Sequence, residues 1–438
     1  SWQEAVNWHG IAGTNEAVLE VSAIPPLNLE GRLDYLINYP HGCLEQVTSG
    51  AFPQLFLPNL LALEPERRAA IDRNVQAAIA RLQGFQQPNG AFAYWPGGFT
   101  TAATLGWRDD WSTTYAGHFL LEAEKAGYRL PAELLSNWVR YQKDLAQRWS
   151  TSDNRQLAER SAGRAEAERL AQAYRLFTLA RAGKPEIGAM NRLREGQMLS
   201  TAERWLLAAA YQSAGLTEPA AQLTKGQSLD VAVDAADNYS FGSQLRDRAI
   251  VLQALVLLGR NTDARSLVDT ISADLVDGRW HSTQSVAFAL LAVGQYVGGK
   301  PFEAFSYELN APGRAGKVVA EKTISTTRLD TKADTAKPVR VTNTADRPLY
   351  ATLIVRGVPA SGSEDAAEQG LTIRQEYADA AGVQGLTIAS LTQGTDLLTR
   401  VTVTNTTRRR LDNLALTQML PAGWEIRNER MEGAGVNG

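Results

Sequence analysis

The sequence contains a single cysteine, Cys43, among its 438 residues. An internal disulfide is therefore excluded, and so is a zinc site built from several cysteines. Histidine is almost as scarce, with four residues between positions 9 and 281. Lys and Arg (44) nearly balance Asp and Glu (47), and a net charge of −3 provides no broad positive field for nucleic acid or anionic lipid. The composition thus excludes a disulfide scaffold and argues against a nucleic-acid partner.

Long apolar runs are also missing. No stretch approaches the roughly 18 apolar residues that span a bilayer, and the opening SWQEAVNWHG lacks the basic start and apolar core of a secretory signal. The sequence shows no Gly-rich phosphate loop, no cluster of metal ligands and no Ser-His-Asp pattern. We therefore expect a folded chain without metal or cofactor, which is either cytosolic or a piece of a longer protein.

Before about residue 300, apolar residues recur at helical spacing, and nine of the ten tryptophans lie there. This periodicity predicts helices over 73–82, 113–125, 133–145, 166–181, 202–214, 246–258 and 283–297. Several of these segments end next to a glycine that favours a left-handed helix cap: Gly127, Gly183, Gly215 and Gly259. We expect an all-helical domain of about ten to twelve helices, paired as an α/α toroid or bundle.

After about residue 300 the apolar pattern alternates with a period of two. It predicts strands over 339–344, 349–355, 371–375 and 398–404, and one further strand over 17–22 precedes the helices. The helical domain is therefore expected to interrupt a β-domain whose two parts pair with each other. A polar linker, 361–368, separates a second β-unit of about 70 residues, which falls short of the roughly 100 of a seven-stranded sandwich. We expect that last unit to be truncated.

The most unusual stretch is YPHGCLEQ, residues 39–46. Cys43 and Gln46 are three residues apart, so their side chains are neighbours if the first turn of a helix begins here. A sulfur held against an amide carbon reacts at a high effective concentration, and its attack with loss of ammonia leaves an internal thioester. Three other residues of the stretch favour a tight approach to a helix N-terminus: Pro40, Gly42 and Glu45.

The stretch resembles the Y-P-x-G-C-x-E-Q thioester signature of the alpha-2-macroglobulin and complement superfamily, above all its bacterial macroglobulins; Tyr39 occupies the first position of that signature. Residues 28–36 resemble the lead-in of the bacterial members. Residues 82–92 and 110–118 are similar to the family patterns L-x-x-x-Q-x-x-D/N-G-x-F and W-x-T-A-Y. The resemblance covers most of the helical part, and the flanking strands fit the expected domain order.

The resemblance implies four regions. Residues 1–25 and 300–362 would be the two parts of a split CUB-like β-domain, 26–299 the helical thioester domain inserted between them, and 363–438 a partial macroglobulin-type β-sandwich. It also implies a single-use covalent protease inhibitor rather than a turnover enzyme. In the family, an attacking protease cuts a bait segment, and the exposed thioester then acylates a surface amine of that protease.

The implied partners are target proteases and the bait and N-terminal macroglobulin domains of a full-length chain. The implied location is the periplasm of a Gram-negative bacterium, with a membrane anchor of the full-length protein left open. Complement members that acylate hydroxyl groups use a histidine in a later loop of the helical domain. The histidines here are His9, His41, His118 and His281, and none lies between 119 and 280. We therefore expect direct attack by amines, with Lys ε-amino groups favoured over hydroxyls.

A thioester must be kept dry until it reacts. Aromatic side chains that lie near the motif, by sequence or by family pattern, are expected to shield it: Tyr39, Phe92, Tyr94, Trp95, Trp107 and Trp111.

Other interpretations remain. Asp109 and Asp110 could act as the carboxylate pair of an α/α-toroid hydrolase or lyase, although capping of a helix that begins at Trp111 is the simpler role. Cys43 could instead pair with His41 or His118 as a hydrolase nucleophile. A third interpretation is a structural scaffold with a vestigial thioester. His118 is expected to pack or to cap a helix, and His281 to lie in a loop.

Overall fold

The computed structural model describes residues 1–8, 10–38, 42–97, 107–196, 198–232, 240–277, 279–330, 338–360, 366–379, 388, 390–407, 411 and 414–426, with only the backbone of 107–109. The chain divides into two compact units, Ser1–Val358 and Pro359–Gly438. Among the described helices, none has the length and apolar character that a membrane span requires.

The first unit holds fourteen described α-helices. In chain order they are α1 (Leu29–Ile37), α2 (Leu44–Ala51), α3 (Leu57–Leu60), α4 (Pro65–Phe85), α5 (Trp107–Lys125), α6 (Leu134–Arg148), α7 (Thr151–Arg160), α8 (Ala162–Arg181), α9 (Ile187–Gly196), α10 (Thr201–Ser213), α11 (Thr217–Thr224), α12 (Gln244–Leu257), α13 (Asn261–Val276) and α14 (Thr283–Gly298). A 3-10 turn, Phe52–Phe56, joins α2 to α3.

All seven helices predicted from apolar periodicity are present, as α4, α5, α6, α8, α10, α12 and α14. The expected total of ten to twelve is too low. Six of the additional helices span ten residues or fewer, which is too short for a 3.6-residue period to be recognised. Helix α13 is longer, and its buried Ala264, Leu267, Val268 and Ile271 carry a helical spacing that the prediction overlooked.

The predicted glycine caps are confirmed. Gly127, Gly183, Gly215 and Gly259 all have positive φ, between 70° and 93°. In each case the next residue donates its N–H to a carbonyl five residues earlier, which satisfies a free carbonyl at the helix end. Glycine is needed at these positions because a Cβ atom disfavours the left-handed backbone.

Helices α5 and α6 approach each other closely at Gly117. A Cβ atom at this position would lie 1.9 Å from Cε2 of Trp138, whose side chain is fully buried. The Trp138 indole N–H donates to the Thr113 carbonyl at 2.8 Å, so the ring has a fixed partner on α5. Gly117 is therefore a packing requirement of the helical core.

Seven strands in the described part of the first unit form two antiparallel sheets. Strands β1 (Trp2–Glu4) and β2 (Glu16–Ser22) precede the helices, and β3 (Phe305–Ala311), β4 (Arg314–Ala320), β5 (Ile324–Arg328), β6 (Val339–Asn343) and β7 (Tyr350–Arg356) follow them. The strand orders are β1-β6-β3-β4 and β5-β2-β7. Both sheets thus combine strands from before and after the helical segment. The predicted strands 17–22, 339–344 and 349–355 are present as β2, β6 and β7.

Strand β2 is central in its sheet and connects the β-part to the helices. Leu19 pairs with Thr327 on one side and with Leu353 on the other. The Glu20 side chain is buried, and its carboxylate accepts hydrogen bonds from the backbone N–H groups of Leu27 (3.2 Å) and Leu29 (3.3 Å). Burial raises the pKa of Glu20, and these two bonds partly oppose that rise. A sheet residue therefore caps helix α1, which leads towards the motif.

The second unit contains a described two-stranded antiparallel sheet, β8 (Leu371–Asp379) and β9 (Leu397–Asn405), in which Ile373 lies opposite Val403. These strands confirm the predictions over 371–375 and 398–404. Residues 361–365 of the expected linker lie outside the described part of the chain. Truncation of this unit stays a prediction.

Helix α10 begins with a buried capping box that gives a pH prediction. The Glu203 N–H donates to the Ser200 hydroxyl at 3.4 Å, and the Ser200 N–H donates to Glu203 Oε2 at 2.9 Å. Burial raises the pKa of Glu203 from 4.5 to about 7, and Arg169, 3.4 Å away, opposes that rise. The folded state therefore binds this proton more tightly than the unfolded state does. Its stabilising contribution is complete below about pH 4.5 and is lost as the pH rises to about 7.

As the pH rises from 4.5 to 7, we expect the Tm of the native chain to decrease relative to the Tm of Glu203→Gln, whose side-chain amide cannot ionise. A difference on the order of 2–4 °C is expected, because a pKa raised from 4.5 to about 7 corresponds to about 3 kcal/mol, and the Tm of a chain of this length shifts by about 1 °C per kcal/mol. Thermal unfolding of both proteins across this pH range measures it. Parallel Tm curves would contradict the assignment of the proton to Glu203.

Candidate functional site

Cys43 occupies the position directly before α2, with extended backbone angles (φ −68°, ψ 168°). Its N–H donates to Oε1 of Gln46 at 3.2 Å, and the Gln46 N–H is directed at the Cys43 sulfur. This reciprocal arrangement is a capping box, with cysteine where serine or threonine is usual. The thiol and the side-chain amide therefore share one helix end, as their spacing predicts.

The thiol of Cys43 is withdrawn from solvent, with 1% of the residue exposed. Burial raises the pKa of this thiol, while hydrogen bonds from the Tyr94 hydroxyl and from the Gln46 backbone lower it. The thiolate is the nucleophilic form of cysteine. Burial thus limits ionisation of the thiol by raising its pKa, while hydrogen bonds from the Tyr94 side chain and from the Gln46 and Glu45 backbones oppose that rise.

Glu45 lies in the first turn of α2 but points into the core, where its side chain is buried. Its Oε1 accepts hydrogen bonds from the Ser49 hydroxyl at 2.6 Å and from the Thr283 hydroxyl at 2.9 Å. The Ser49 hydroxyl also lies 3.2 Å from the Tyr115 hydroxyl on α5. Burial raises the pKa of Glu45, and the two hydroxyl donors oppose that rise. Glu45 therefore fastens the motif helix to the first residue of α14.

Gly42 has a different role from the predicted tight turn. It is not one of the positive-φ glycines among the described residues. A Cβ atom at Gly42 would instead lie 2.3 Å from Nη2 of Arg81, and this guanidinium donates to the Gly42 carbonyl at 3.4 Å. The absence of a side chain thus makes room for Arg81 of α4 beside the motif.

The loop after α4 approaches the motif at Tyr94. The Leu44 N–H, which is free of helical partners at the first position of α2, donates to the Tyr94 carbonyl at 3.0 Å. The half-buried Tyr94 ring stacks on Phe241, with centroids 6.1 Å apart and planes 12° apart. Among the described aromatic residues that were expected to shield the site, Tyr94 is the one that hydrogen-bonds the first turn of α2 through its backbone.

The other proposed shielding residues lie elsewhere or outside the described part. Trp95 is 53% exposed and meets the Tyr94 ring edge-on at 5.8 Å. Phe92 is buried in the helical core. Trp111 is also a core residue, whose indole N–H donates to Gln284 Oε1 at 3.2 Å. Tyr39, Pro40 and the side chain of Trp107 lie outside the described residues, as do His9 and His41.

The predicted cap at Asp110 is wrong, because α5 begins at Trp107 and not at Trp111. Asp110 lies inside the first turn of α5, where its carboxylate forms an ion pair with Arg175. Arg175 is nearly buried and also donates to Gln142 Oε1 at 2.9 Å. A carboxylate paired with a buried guanidinium is suited to hold two helices, α5 and α8, together. The side chain of Asp109 lies outside the described residues.

His118 is a packed core residue, as expected. Its side chain is fully buried, Nδ1 lies 2.9 Å from the Tyr174 hydroxyl, and Phe52 and Phe177 meet its ring edge-on. Burial lowers the pKa of His118 to about 3. The neutral ring bonds Tyr174, which leaves it unsuited to serve as the base for Cys43. His281 lies in the loop before α14, also as expected, with Nε2 2.9 Å from the Asp274 carbonyl.

Sequence reasoning missed the residues that hold the motif from a distance. Thr283 follows Glu45 by 238 residues and Phe241 follows Tyr94 by 147, so no local spacing brings them together. The sequence offers one signal for Thr283. It directly follows Ser282, and serine is a preferred residue at the position before a helix, so Thr283 could be placed at a helix start. The starts of paired helices can lie at the same end of a helical array.

No model of a known protein family matches the chain. The chain is similar to alpha-2-macroglobulin of Escherichia coli, with 26% identity over 95% of this chain and 24% of that protein. It is also similar to alpha-2-macroglobulin of Xylella fastidiosa, with 28% identity over 94% of this chain and 25% of that protein. The chain thus spans about a quarter of the length of these relatives. The resemblance inferred from the motif is confirmed.

The chain is also similar to solved structures of bacterial alpha-2-macroglobulins. A C-terminal segment of native alpha-2-macroglobulin from E. coli matches 92% of this chain and 62% of its own length, with a TM-score of 0.67 and 24% identity, and this match supports the fold alone. Alpha-2-macroglobulin from Salmonella reacted with methylamine matches 92% of this chain and 26% of its own length, with a TM-score of 0.66 and 27% identity. The chain therefore has a mixed helical and sheet multidomain fold like that of the C-terminal part of bacterial alpha-2-macroglobulins.

Proposed function

We propose that this chain is the reactive part of an alpha-2-macroglobulin-type protease inhibitor, which traps an attacking protease covalently through a thioester between Cys43 and Gln46. The observation that carries the proposal is the reciprocal capping box, in which sulfur and side-chain amide occupy one buried helix end. The similarity to bacterial alpha-2-macroglobulins over nearly the whole chain supports it.

The bond would form by attack of the Cys43 thiolate on the Gln46 side-chain carbon, with departure of ammonia. The Cys43 N–H already donates to Gln46 Oε1. This donor polarises the carbonyl and stabilises the negative charge that develops on its oxygen during attack, as an oxyanion hole does. The helix dipole acts in the same direction, because the oxygen lies at the N-terminus of α2.

The Cys43 thiol would be released by the same kind of attack on the acyl carbon, with an amine as the nucleophile. A Lys amine of the protease adds to the acyl carbon, a C–N bond forms, the C–S bond breaks, and Cys43 becomes a free thiol. The two histidines with described side chains bond partners other than the sulfur: His118 bonds the Tyr174 hydroxyl, and His281 bonds the Asp274 carbonyl. This supports direct attack by amines rather than transfer through a histidine to hydroxyl groups.

The finer architecture is also part of the proposal. The helical segment would be an α/α toroid inserted into a CUB-like β-sandwich, and residues 363–438 would belong to a macroglobulin-type sandwich. Antiparallel pairing of β2 with β5 and β7 supports the insertion. We further propose a periplasmic location in a Gram-negative cell, target proteases as partners, and bait and macroglobulin domains in a longer chain.

Intact-mass analysis of freshly prepared, unproteolysed chain tests the thioester. We expect the mass to be one ammonia below the sequence value. Methylamine should add its own mass and release one titratable thiol per chain. A mass equal to the sequence value, together with a thiol that is free before any treatment, would overturn the proposal. Faster acyl transfer to glycerol than to methylamine would overturn the preference for amines.

A further inference from the structure

A cavity of about 280 Å³ lies where the helical segment meets the β-part of the first unit. Its lining comes from distant parts of the chain: the turn after β2, helices α3, α13 and α14, the segment that follows α14, the turn between β4 and β5, and the start of β7. None of its described lining residues belongs to the motif 39–46. The volume is near the lower end of the range of small-molecule sites, which is about 300–1,000 Å³. The cavity is thus a candidate binding site separate from Cys43.

Backbone contacts fix the walls of this cavity. The Ala23 N–H donates to the Thr323 carbonyl at 3.0 Å, and both residues line the cavity. Directly after Thr323, Ile324 at the start of β5 forms a parallel bridge with Leu61 at the end of α3. This bridge joins the β-part to the helical segment. A ligand would therefore meet a preformed site and would not have to order its walls on binding.

Part of the lining is apolar. Val268 of α13 and Tyr296 of α14 are buried, and the half-buried Ile24 and Pro25 line the cavity from the turn after β2. Lys300 lies over the Tyr296 ring, with Nζ 3.8 Å from the ring centroid. An ammonium group is thus held beside the apolar surface. Such a surface favours contact with the apolar body of an organic molecule, which a simple inorganic ion does not have.

Positive charge predominates in the lining. The cationic lining residues are Arg265 of α13, Lys300 after α14, Lys322 between β4 and β5, and Arg347 before β7. The acidic ones are Asp269 and Glu303, and Glu303 is already paired with Arg347 at 2.6 Å. Among the described residues, no ion pair or hydrogen bond engages the side chains of Arg265 and Lys322. An anion is therefore the ligand whose charge complements this site.

We propose that this cavity binds a small organic anion with an apolar body, of the class of the medium-chain carboxylates. The apolar body packs against Val268 and Tyr296, and the carboxylate accepts hydrogen bonds from Arg265 and Lys322. The inference goes beyond the proposed inhibitor function, because the site shares no residue with the thioester.

The position of the two cations gives such a ligand a structural effect. Arg265 belongs to the helical segment and Lys322 to the β-part. A carboxylate bound between them connects the two parts and reduces the repulsion between like charges. Because the bound form requires both parts to be packed as they are here, the ligand stabilises this packing by its own binding free energy.

Calorimetric titration of the native chain with sodium hexanoate tests the proposal. We expect saturable binding at a single site. Acetate carries the carboxylate without the apolar body and should bind at least about tenfold more weakly, since each buried methylene group adds to the affinity. Hexyltrimethylammonium has the same hydrocarbon chain with the opposite charge, cannot react with a thioester, and should not bind. Absence of hexanoate binding, or equal affinity for hexyltrimethylammonium, would overturn the proposal.

A double variant, Arg265→Gln with Lys322→Gln, locates the site. It removes two charges that have no side-chain partner among the described residues, so the fold should persist. We expect the affinity for hexanoate to fall at least about tenfold, because charge-assisted hydrogen bonds are lost. Arg314→Gln with Lys317→Gln is the matched control, since it removes the same charge from exposed positions of β4 that do not line the cavity. Equal affinities of the two double variants for hexanoate would contradict the assignment.

Thermal unfolding measures the effect on packing. Hexanoate should raise the Tm of the native chain and of the control variant, and it should leave the Tm of Arg265→Gln with Lys322→Gln unchanged. An increase of the same size in all three proteins would place the binding elsewhere and refute the proposal. Because neither Cys43 nor Gln46 takes part, a chain that lacks a thioester by mass should still bind hexanoate, which separates this proposal from the inhibitor function.

Discussion

Replacement of Cys43 by serine is expected to abolish covalent capture while leaving the fold intact. Serine accepts the same hydrogen bond at a helix start and is a preferred residue there, so the capping box with Gln46 should persist. A hydroxyl is far less acidic and less nucleophilic than a thiol and will not displace ammonia from an amide. The variant should have the full sequence mass, show no thiol release with methylamine, and give no adduct with trypsin that survives denaturing electrophoresis.

Comparison of Cys43→Ala with Cys43→Ser separates the loss of the reactive thiol from the loss of the helix cap. Cys43→Ala removes the sulfur and the cap together, so we expect the same complete loss of adduct and, in addition, a decrease of about 1 kcal/mol in the free energy of unfolding. Gln46→Glu keeps the capping acceptor but offers a carboxylate, which cannot acylate the Cys43 thiol, and it should leave Cys43 titratable without methylamine. Covalent adducts formed by Cys43→Ser would show that another group captures the protease.

Local spacing was sufficient to predict that Cys43 and Gln46 share one helix end, but not which residues support that end. The i, i+3 relation of Cys43 and Gln46 depends on one helical turn, and a turn of helix is the shortest-range structure a sequence encodes. The contacts of Glu45 with Thr283 and of Tyr94 with Phe241 depend on how distant helices and loops return to one place. Which distant helices and loops come into contact is decided by the packing of the whole helical core, and this packing cannot be inferred from a short stretch of sequence.

The secondary-structure elements likewise divide into those that local sequence patterns predict and those that they do not. Long helices with an apolar stripe and strands with alternating burial were predicted, because each repeats its period several times. Short helices such as α3, with four residues, do not complete a second turn, and the early start of α5 lies in a stretch without apolar periodicity. Glu20 could not be anticipated as buried, since only the return of the chain at Leu27 and Leu29 supplies its donors.

Helix α1 precedes the motif of residues 39–46, and its contacts with other elements help to position that motif. Three ion pairs and hydrogen bonds hold it to separate elements. Glu30 pairs with Arg67 of α4, Arg32 donates to the Leu275 carbonyl of α13 at 2.6 Å, and Asp34 pairs with Arg356 of β7. With Glu20 capping its start, α1 is fixed on several sides, and it ends at Ile37, six residues before Cys43. The β-part of the first unit thus helps to set where the motif lies.

The second large effect is expected at Glu45, which is the direct attachment of α2 to the core. Glu45→Ala removes the acceptor of the buried Thr283 hydroxyl and one of the two partners of the buried Ser49 hydroxyl, and it opens a cavity where the carboxylate was. The lost hydrogen bonds and the cavity together should lower the free energy of unfolding by about 3 kcal/mol. The first turn of α2 then loses its attachment to α14, so sulfur and acyl carbon spend less time in contact.

We therefore expect Glu45→Ala to carry a thioester in only a minority of chains and to lose it faster in water. Glu45→Gln is the matched control, because its side-chain carbonyl still accepts one hydroxyl bond and its volume is nearly unchanged. It should keep most of the stability and most of the thioester. Denaturant unfolding and the thiol released by methylamine, followed over days of storage, measure the two effects. Should both variants match the native chain in stability and thioester content, Glu45 would have no part in holding the reactive turn.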